Sequence, residues 1–171
     1  MKALDVAKYF LFLARNREAG DTISNLKIQK MLYYAQGYSL ALFNKPLFDD
    51  RIEAWKHGPV VKKIYEQFKQ YGSNSISFNE LDDFDTDCIA SNKDIHELLI
   101  FIFNKYGSIG AWKLRDKTHM EDPWKNSFIE SLANEITQDA IADFFKKENK
   151  KEALRLKALQ KNDEEINSLW R

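Results

Sequence analysis

The chain has 171 residues, with 26 basic and 26 acidic side chains and hence no net charge, and is 44% hydrophobic, 13% aromatic and 30% charged. This length suits one domain able to bury about 70% of its unfolded surface, and four Trp, seven Tyr and twelve Phe exclude the aromatic-poor make-up of disordered chains. Zero net charge argues against a dedicated nucleic-acid binder, whose affinity comes from neutralising phosphates. The single Cys88 excludes an intrachain disulfide and a Cys-based zinc site, and suits a reducing interior.

The N-terminal stretch MKALDVAKYFLFLARNREAG has an apolar middle, interrupted by Asp5 and Lys8 and followed by no small-residue cleavage site. A signal peptide is therefore not expected, and a cytoplasmic location is. Leu4, Ala7, Leu11 and Ala14 predict a helix over 3–19, with Gly20 placed to end it. A second helix follows Ser24 as N-cap, with Ile23 and Ile28 as a hydrophobic staple. Ile28, Met31, Leu32, Ala35, Tyr38 and Leu42 line one face, and Leu26, Tyr34, Leu40 and Ala41 add apolar surface elsewhere. Such a helix is central and mostly buried.

RIEAWK then reads as a short strand, with Ile52 and Ala54 facing one way and Glu53 and Trp55 the other. SISF, residues 75–78, is the candidate second strand. KHGP reads as a strand-to-helix corner, with Pro59 in the first position of a helix bearing Val61, Ile64, Tyr65 and Phe68 and closed by Gly72. Five acids and no base between Tyr71 and Lys93 predict a surface loop over 73–92. A helix resumes at Lys93 on Ile95, Leu98, Leu99, Ile102 and Phe103. A short helix, a turn and a further helix opened by Asp122 as N-cap and Pro123 come next. The last helix starts near Gln138, with Ile141, Phe144 and Phe145 inward, and runs into a basic amphipathic tail.

Signals for catalysis are weak. His57, His96 and His119 have no close helical spacing, and HExxH is absent. Asp49-Asp50 and Asp82-Asp83 are adjacent acids in turns, which point apart on an extended chain. Cys88 has Asp85 and Asp87 beside it, which raise rather than lower a thiol pKa. No phosphate-cradling glycine loop or GxSxG is present. No catalytic residue, cofactor or metal is expected. Lys62, Lys63 and Lys69 share a predicted helix without the interleaved aromatics of a nucleic-acid module.

LKIQKMLYYAQGYSLALFNKPLFDDRIEAWKHGPVVKKIYEQFKQYG, followed later by LRDKTHMEDPWKNS, resembles the two signature segments of the Panacea domain family, which includes SocA-like antitoxins and phage-associated GepA-like proteins. The positions that carry the likeness are Gln29, Lys30, Tyr33, Tyr34, Ala35, Gln36, Glu53, Trp55, Gly58, Pro59, His119, Pro123 and Trp124. The resemblance implies a mainly α fold: a compact helical domain over 1–145 with a small two- or three-stranded β element, then a helical extension over 146–171. It implies a non-enzymatic antitoxin that neutralises a cognate toxin protein by direct binding. The alternatives are a proteolytic adaptor, which also contacts a protease or its chaperone, a metal-dependent hydrolase using His57 and His119, and a DNA-binding regulator. Candidate partner-binding residues are Tyr34, Trp55, His57, Lys62, His119 and Trp124, with Leu156, Leu159 and Trp170 in the tail. EAWKHGPVV is expected to sit against THMEDPW, with Trp55 and Trp124 on one composite surface. Oligomeric state is left open.

Overall fold

The computed structural model describes residues 1–17, 22–148 and 150. It is mainly helical with one small sheet. Helix α1 (Ala3–Arg15) is followed by α2 (Asn25–Phe43). The Ser24 hydroxyl accepts the Lys27 amide at the start of α2, and Asn44 ends it with a left-handed φ of 53°. Sixteen of the nineteen α2 residues are buried, so this helix is the axis of the domain.

Buried polar side chains on α2 hold the loops around it. The Gln36 side chain donates to the Phe48 carbonyl at 3.0 Å and accepts the amides of Leu47 and Phe48 at 2.9 and 3.2 Å. Gln29 accepts the Val61 amide at 2.8 Å, while Asn25 donates to the Tyr65 carbonyl at 3.0 Å. Loop backbone lacks a ladder partner, and a buried unpaired peptide group costs about 1–3 kcal/mol, which these amides avert.

Strands β1 (Glu53–Trp55), β2 (Gly58–Val60) and β3 (Asn134–Glu135) form an antiparallel sheet in the order β2-β1-β3. Helix α3 (Lys62–Phe68) leads to 3-10 turns at Lys69–Tyr71 and Phe78–Leu81. Helices α4 (Asp87–Ala90), α5 (Lys93–Tyr106), α6 (Ala111–His119), α7 (Asp122–Ser127) and α8 (Gln138–Glu148) complete the described chain. Helices α5, α6 and α8 pack on α2. Phe145 of α8 is fully buried against Tyr33, Tyr34 and Tyr38, at centroid distances of 5.4, 6.0 and 5.4 Å.

Four sequence expectations need correction. KHGP is not a strand-to-helix corner: Lys56-His57 is the two-residue turn of a hairpin, Pro59 lies in β2 opposite Ala54, and α3 starts at Lys62. A proline is tolerated there because β2 is an edge strand. SISF is not a strand; Ser75 forms an isolated bridge with Ser24, and the Ser77 hydroxyl caps the turn that follows. The acidic stretch 73–92 is not a plain loop. Ile76, Leu81 and Ile89 are buried, the last two on short helical turns that pack on α1, although their wide spacing hides any period. Glu121, rather than Asp122, occupies the N-cap position of α7. Gly20, the expected end of the first helix, lies outside the described residues.

Candidate functional site

The turn of the β1–β2 hairpin rests on α2 and α6. Gly58 has a φ of +95°, and a Cβ there would come within 2.7 Å of Thr118 Oγ1 and 2.9 Å of Lys30 Nζ. Only glycine combines that backbone angle with so close an approach. Lys30, wholly buried, donates to the Pro59 carbonyl at 2.7 Å. The Thr118 hydroxyl donates to the Arg115 carbonyl at 2.8 Å.

The two signature segments meet directly. Trp124 Nε1 donates to the Trp55 carbonyl at 2.9 Å. The Trp124 ring stacks on His119 at 3.7 Å and 8°, and on Phe128 at 4.7 Å and 16°. The Trp55 indole donates to Glu53 Oε2 at 2.7 Å, and its ring meets Tyr65 edge-on. His57 reaches across to Trp112 at 5.6 Å and 85°. Trp112 is 61% exposed and Met120 is 75% exposed, so this face presents apolar surface among imidazole and guanidinium groups.

Behind it, Glu121 is 4% exposed. Its Oε1 accepts from Tyr34 at 3.1 Å and from Lys117 at 3.0 Å. Burial raises the Glu121 carboxyl pKa, and the Lys117 and Tyr34 contacts oppose that rise. Burial also holds the Tyr33 and Tyr34 hydroxyls protonated, with the carboxylate of Glu121 adding to the effect. Tyr33 and Glu121 lie close enough to shift each other's pKa, although neither the Tyr33 hydroxyl nor Glu121 Oε2 completes a well-formed hydrogen bond.

The His119 imidazole is lowered to about 4 from 6.5 by burial, then by Arg115 and Lys30. The group is neutral in the fold and protonated in the unfolded chain between those two values. Its contribution to stability is complete above pH 6.5 and is lost as pH falls toward about 4. The urea midpoint is expected to fall across that window, and His119→Gln to flatten the fall; parallel curves for the two proteins would refute the assignment.

The structure brings Trp55, His57, His119 and Trp124 together. Tyr34 lies inside the core, 1% exposed, and reaches this region through its hydrogen bond to Glu121 and the Lys117 ammonium over its ring. Lys62 is exposed on α3 and lines a different groove of about 1100 Å³ with Lys2, Asp50 and Arg51. Leu156, Leu159 and Trp170 lie outside the described residues. The candidate partner-binding residues left out Lys30, Trp112, Arg115, Thr118 and Glu121, although Lys30 carries the family likeness and Trp112 is one of the large aromatics that suit a core or an interface. The available signals were a Gln-Lys pair inside an otherwise apolar helix, and Trp112, Arg115 and His119 at i, i+3 and i+7 on one helical face.

Among the described residues, no three His, Cys, Asp or Glu side chains converge as a metal site, and no helix is long and apolar enough to cross a membrane. Burial, followed by Asp5, Asp85 and Asp87, raises the Cys88 thiol pKa, as the local acids suggested.

No solved structure matches the chain. Among curated proteins, Antitoxin SocA of Caulobacter vibrioides (strain NA1000 / CB15N) is 34% identical over 112 residues, covering 60% of this chain and 58% of that protein. The family model described as "Antitoxin SocA-like, Panacea domain" matches residues 28–125, a span that takes in α2, the β1–β2 hairpin, α6 and the start of α7. The hairpin and the α6–α7 turn that meet at Trp55 and Trp124 both fall within that span, and the chain belongs to the SocA-like antitoxin, Panacea domain family.

Proposed function

We propose that this chain is a cytoplasmic antitoxin that neutralises a cognate toxin by direct contact through the face joining the β1–β2 turn to α6 and α7, without catalysis of its own. The observation that carries the reading is the Trp124–Trp55 hydrogen bond, which makes one surface of the two signature segments and leaves Trp112 and Met120 exposed on it. A large exposed aromatic beside polar groups is the composition of an interface anchor. Family membership supplies the kind of partner.

The test is co-expression with the product of the neighbouring gene, after that gene has been checked for toxicity. Rescue with a stable complex supports the proposal. Rescue without a stable complex shifts weight to the proteolytic-adaptor reading, and a toxin that this chain cannot neutralise refutes it. Within a stable complex, Trp112→Ala is expected to weaken binding by about 2 kcal/mol, roughly 30-fold, as a truncated aromatic anchor does. An unchanged affinity would move the interface elsewhere.

A further inference from the structure

Positively charged and proton-carrying groups gather where the hairpin turn meets α6, and almost no acid faces them. Lys30 of α2 forms the floor. It is fully buried, its one hydrogen bond goes to the Pro59 carbonyl, and it enters no ion pair among the described residues. Above it, Thr118 and Gly58 close the space to van der Waals contact. Arg115 and His119 are half-buried, and Lys56 and His57 are exposed at the rim.

Two polar atoms here are buried without a hydrogen-bond partner: Arg115 Nε and His119 Nε2. Leaving such atoms unpaired is costly, so each calls for a partner from water or from a bound group. Arg115 engages Asp116 through one terminal nitrogen at 2.6 Å, and the Asp116 side chain is 65% exposed. The Nε edge of the guanidinium is not used by that pair. Of the charged groups acting on His119, Arg115, Lys30 and His57 lower its pKa and only Asp116 raises it. His57 is likewise lowered by burial and then by Arg115, Lys56 and Lys30. Burial is the larger cause for both imidazoles and neighbouring positive charge the next, so an added anion offsets the second of these.

We propose that this cluster receives a single carboxylate, an Asp or Glu side chain presented by the partner protein, accepted by Arg115 and His119 while the adjoining apolar residue of that segment rests on Trp112. This inference rests on the antitoxin reading for its partner. A protein carboxylate fits better than phosphate. The cluster leaves two buried atoms without partners, Arg115 Nε and His119 Nε2, which match the two oxygens of a carboxylate. A guanidinium edge paired with a ring N–H is a strong, directional donor pair for a carboxylate.

The test uses the full chain and needs no toxin. It is titrated with an acetylated, amidated Ala-Asp-Phe-Ala tetrapeptide and with its Asn counterpart at constant ionic strength, while the imidazole proton resonances of His57 and His119 are followed by NMR. The expected result is saturable binding of the Asp peptide, with the Asn peptide roughly tenfold weaker or worse, as loss of a charged hydrogen-bond partner dictates. The His119 titration midpoint should move up from about 4 when the peptide is bound. Arg115→Gln should weaken binding roughly tenfold, and Asp116→Asn, which frees the guanidinium of its competitor, should tighten it.

Equal affinity for the two peptides, or no binding, overturns the proposal. So does tighter binding of inorganic phosphate or of a single-stranded oligothymidylate, which would make this a phosphate site. Binding that emerges only in the full-length triple variant Asp163→Asn, Glu164→Gln, Glu165→Gln also overturns it, by assigning the cluster to the chain's own acidic stretch. The two readings fail separately. Peptide binding without toxin rescue sinks the antitoxin assignment alone, whereas a stable toxin complex indifferent to Arg115→Gln and Asp116→Asn sinks the carboxylate assignment alone.

Discussion

Phe145→Ala will destabilise the fold by about 3–5 kcal/mol, the cost of emptying a fully buried aromatic site. The ring is 0% exposed and touches Tyr33, Tyr34, Tyr38 and Phe144 in edge-on geometries. It sits over the bare backbone of Gly37, where a Cβ would fall 2.4 Å from the ring carbons. No neighbour can move into the gap without breaking the tyrosine contacts, so little relaxation is available. Against a total stability of about 5–15 kcal/mol for such a domain, this is a large fraction. The melting temperature should drop by roughly 10 °C, taking about 2–4 °C per kcal/mol at this chain length.

The reciprocal change, Gly37→Ala, destabilises by overpacking against the intact ring, by about 1–3 kcal/mol. Combined with Phe145→Ala its methyl enters vacated space, so the double variant should be more stable than the sum of the two losses predicts. Urea unfolding of the four proteins reads this directly. A cost below about 1 kcal/mol for Phe145→Ala would mean that α8 is not docked on α2 as described. The contact bears on function because Tyr34 lies between Phe145 and Glu121, the N-cap residue of α7. Loosening α8 therefore reaches the α6–α7 turn through Tyr34 as well as through its direct packing on α7.

What the sequence made legible follows from the range of the forces involved. The long helices are written in local periodicity: α2, α5 and α8 begin where Ser24, Lys93 and Gln138 predicted, because caps and apolar stripes act within a turn or two of chain. The β2 strand is not local. Gly-Pro punctuates a chain, and a helix start is its commonest reading. Here the outcome is decided by Gln29 accepting the Val61 amide and Lys30 donating to the Pro59 carbonyl, from 32 and 29 residues away. The third strand, Asn134–Glu135, is equally invisible, since two residues have no period.

The site divides along the same line. Trp55, His57, His119 and Trp124 were singled out because aromatic and imidazole side chains beside Gly and Pro stand out in any loop, and the structure places them near one another. Lys30 and Arg115 were left out because a single base within a helical pattern reads as a solvated face. Only burial separates Lys30, 0% exposed, from Lys62, which is exposed on α3. Tyr34 stood out for its ring, yet it is 1% exposed and acts from inside the core.

Gly58→Ala is expected to cost about 2–6 kcal/mol, summing a positive-φ backbone penalty of about 1–3 with an overpacking cost of about 1–3. The two parts are separable within this protein. Gly72 also has a positive φ, +55°, but nothing lies within 4 Å of a Cβ built there, whereas at Gly58 Thr118 Oγ1 and Lys30 Nζ lie at 2.7 and 2.9 Å. Gly72→Ala therefore reports a positive-φ backbone cost without crowding, and an excess cost at Gly58 reports chiefly the crowding between hairpin, α2 and α6. Adding Thr118→Ala removes the closer of the two contacts, so the pair should couple favourably by about 0.5–3 kcal/mol. If Gly58→Ala costs no more than Gly72→Ala, the hairpin turn does not press on α6, and the joined surface loses its physical basis. If it costs more and Thr118→Ala restores part of the loss, then the glycine is what lets the turn carry His57 onto Trp112, and toxin neutralisation should fall with the packing of this corner even where the rest of the fold survives.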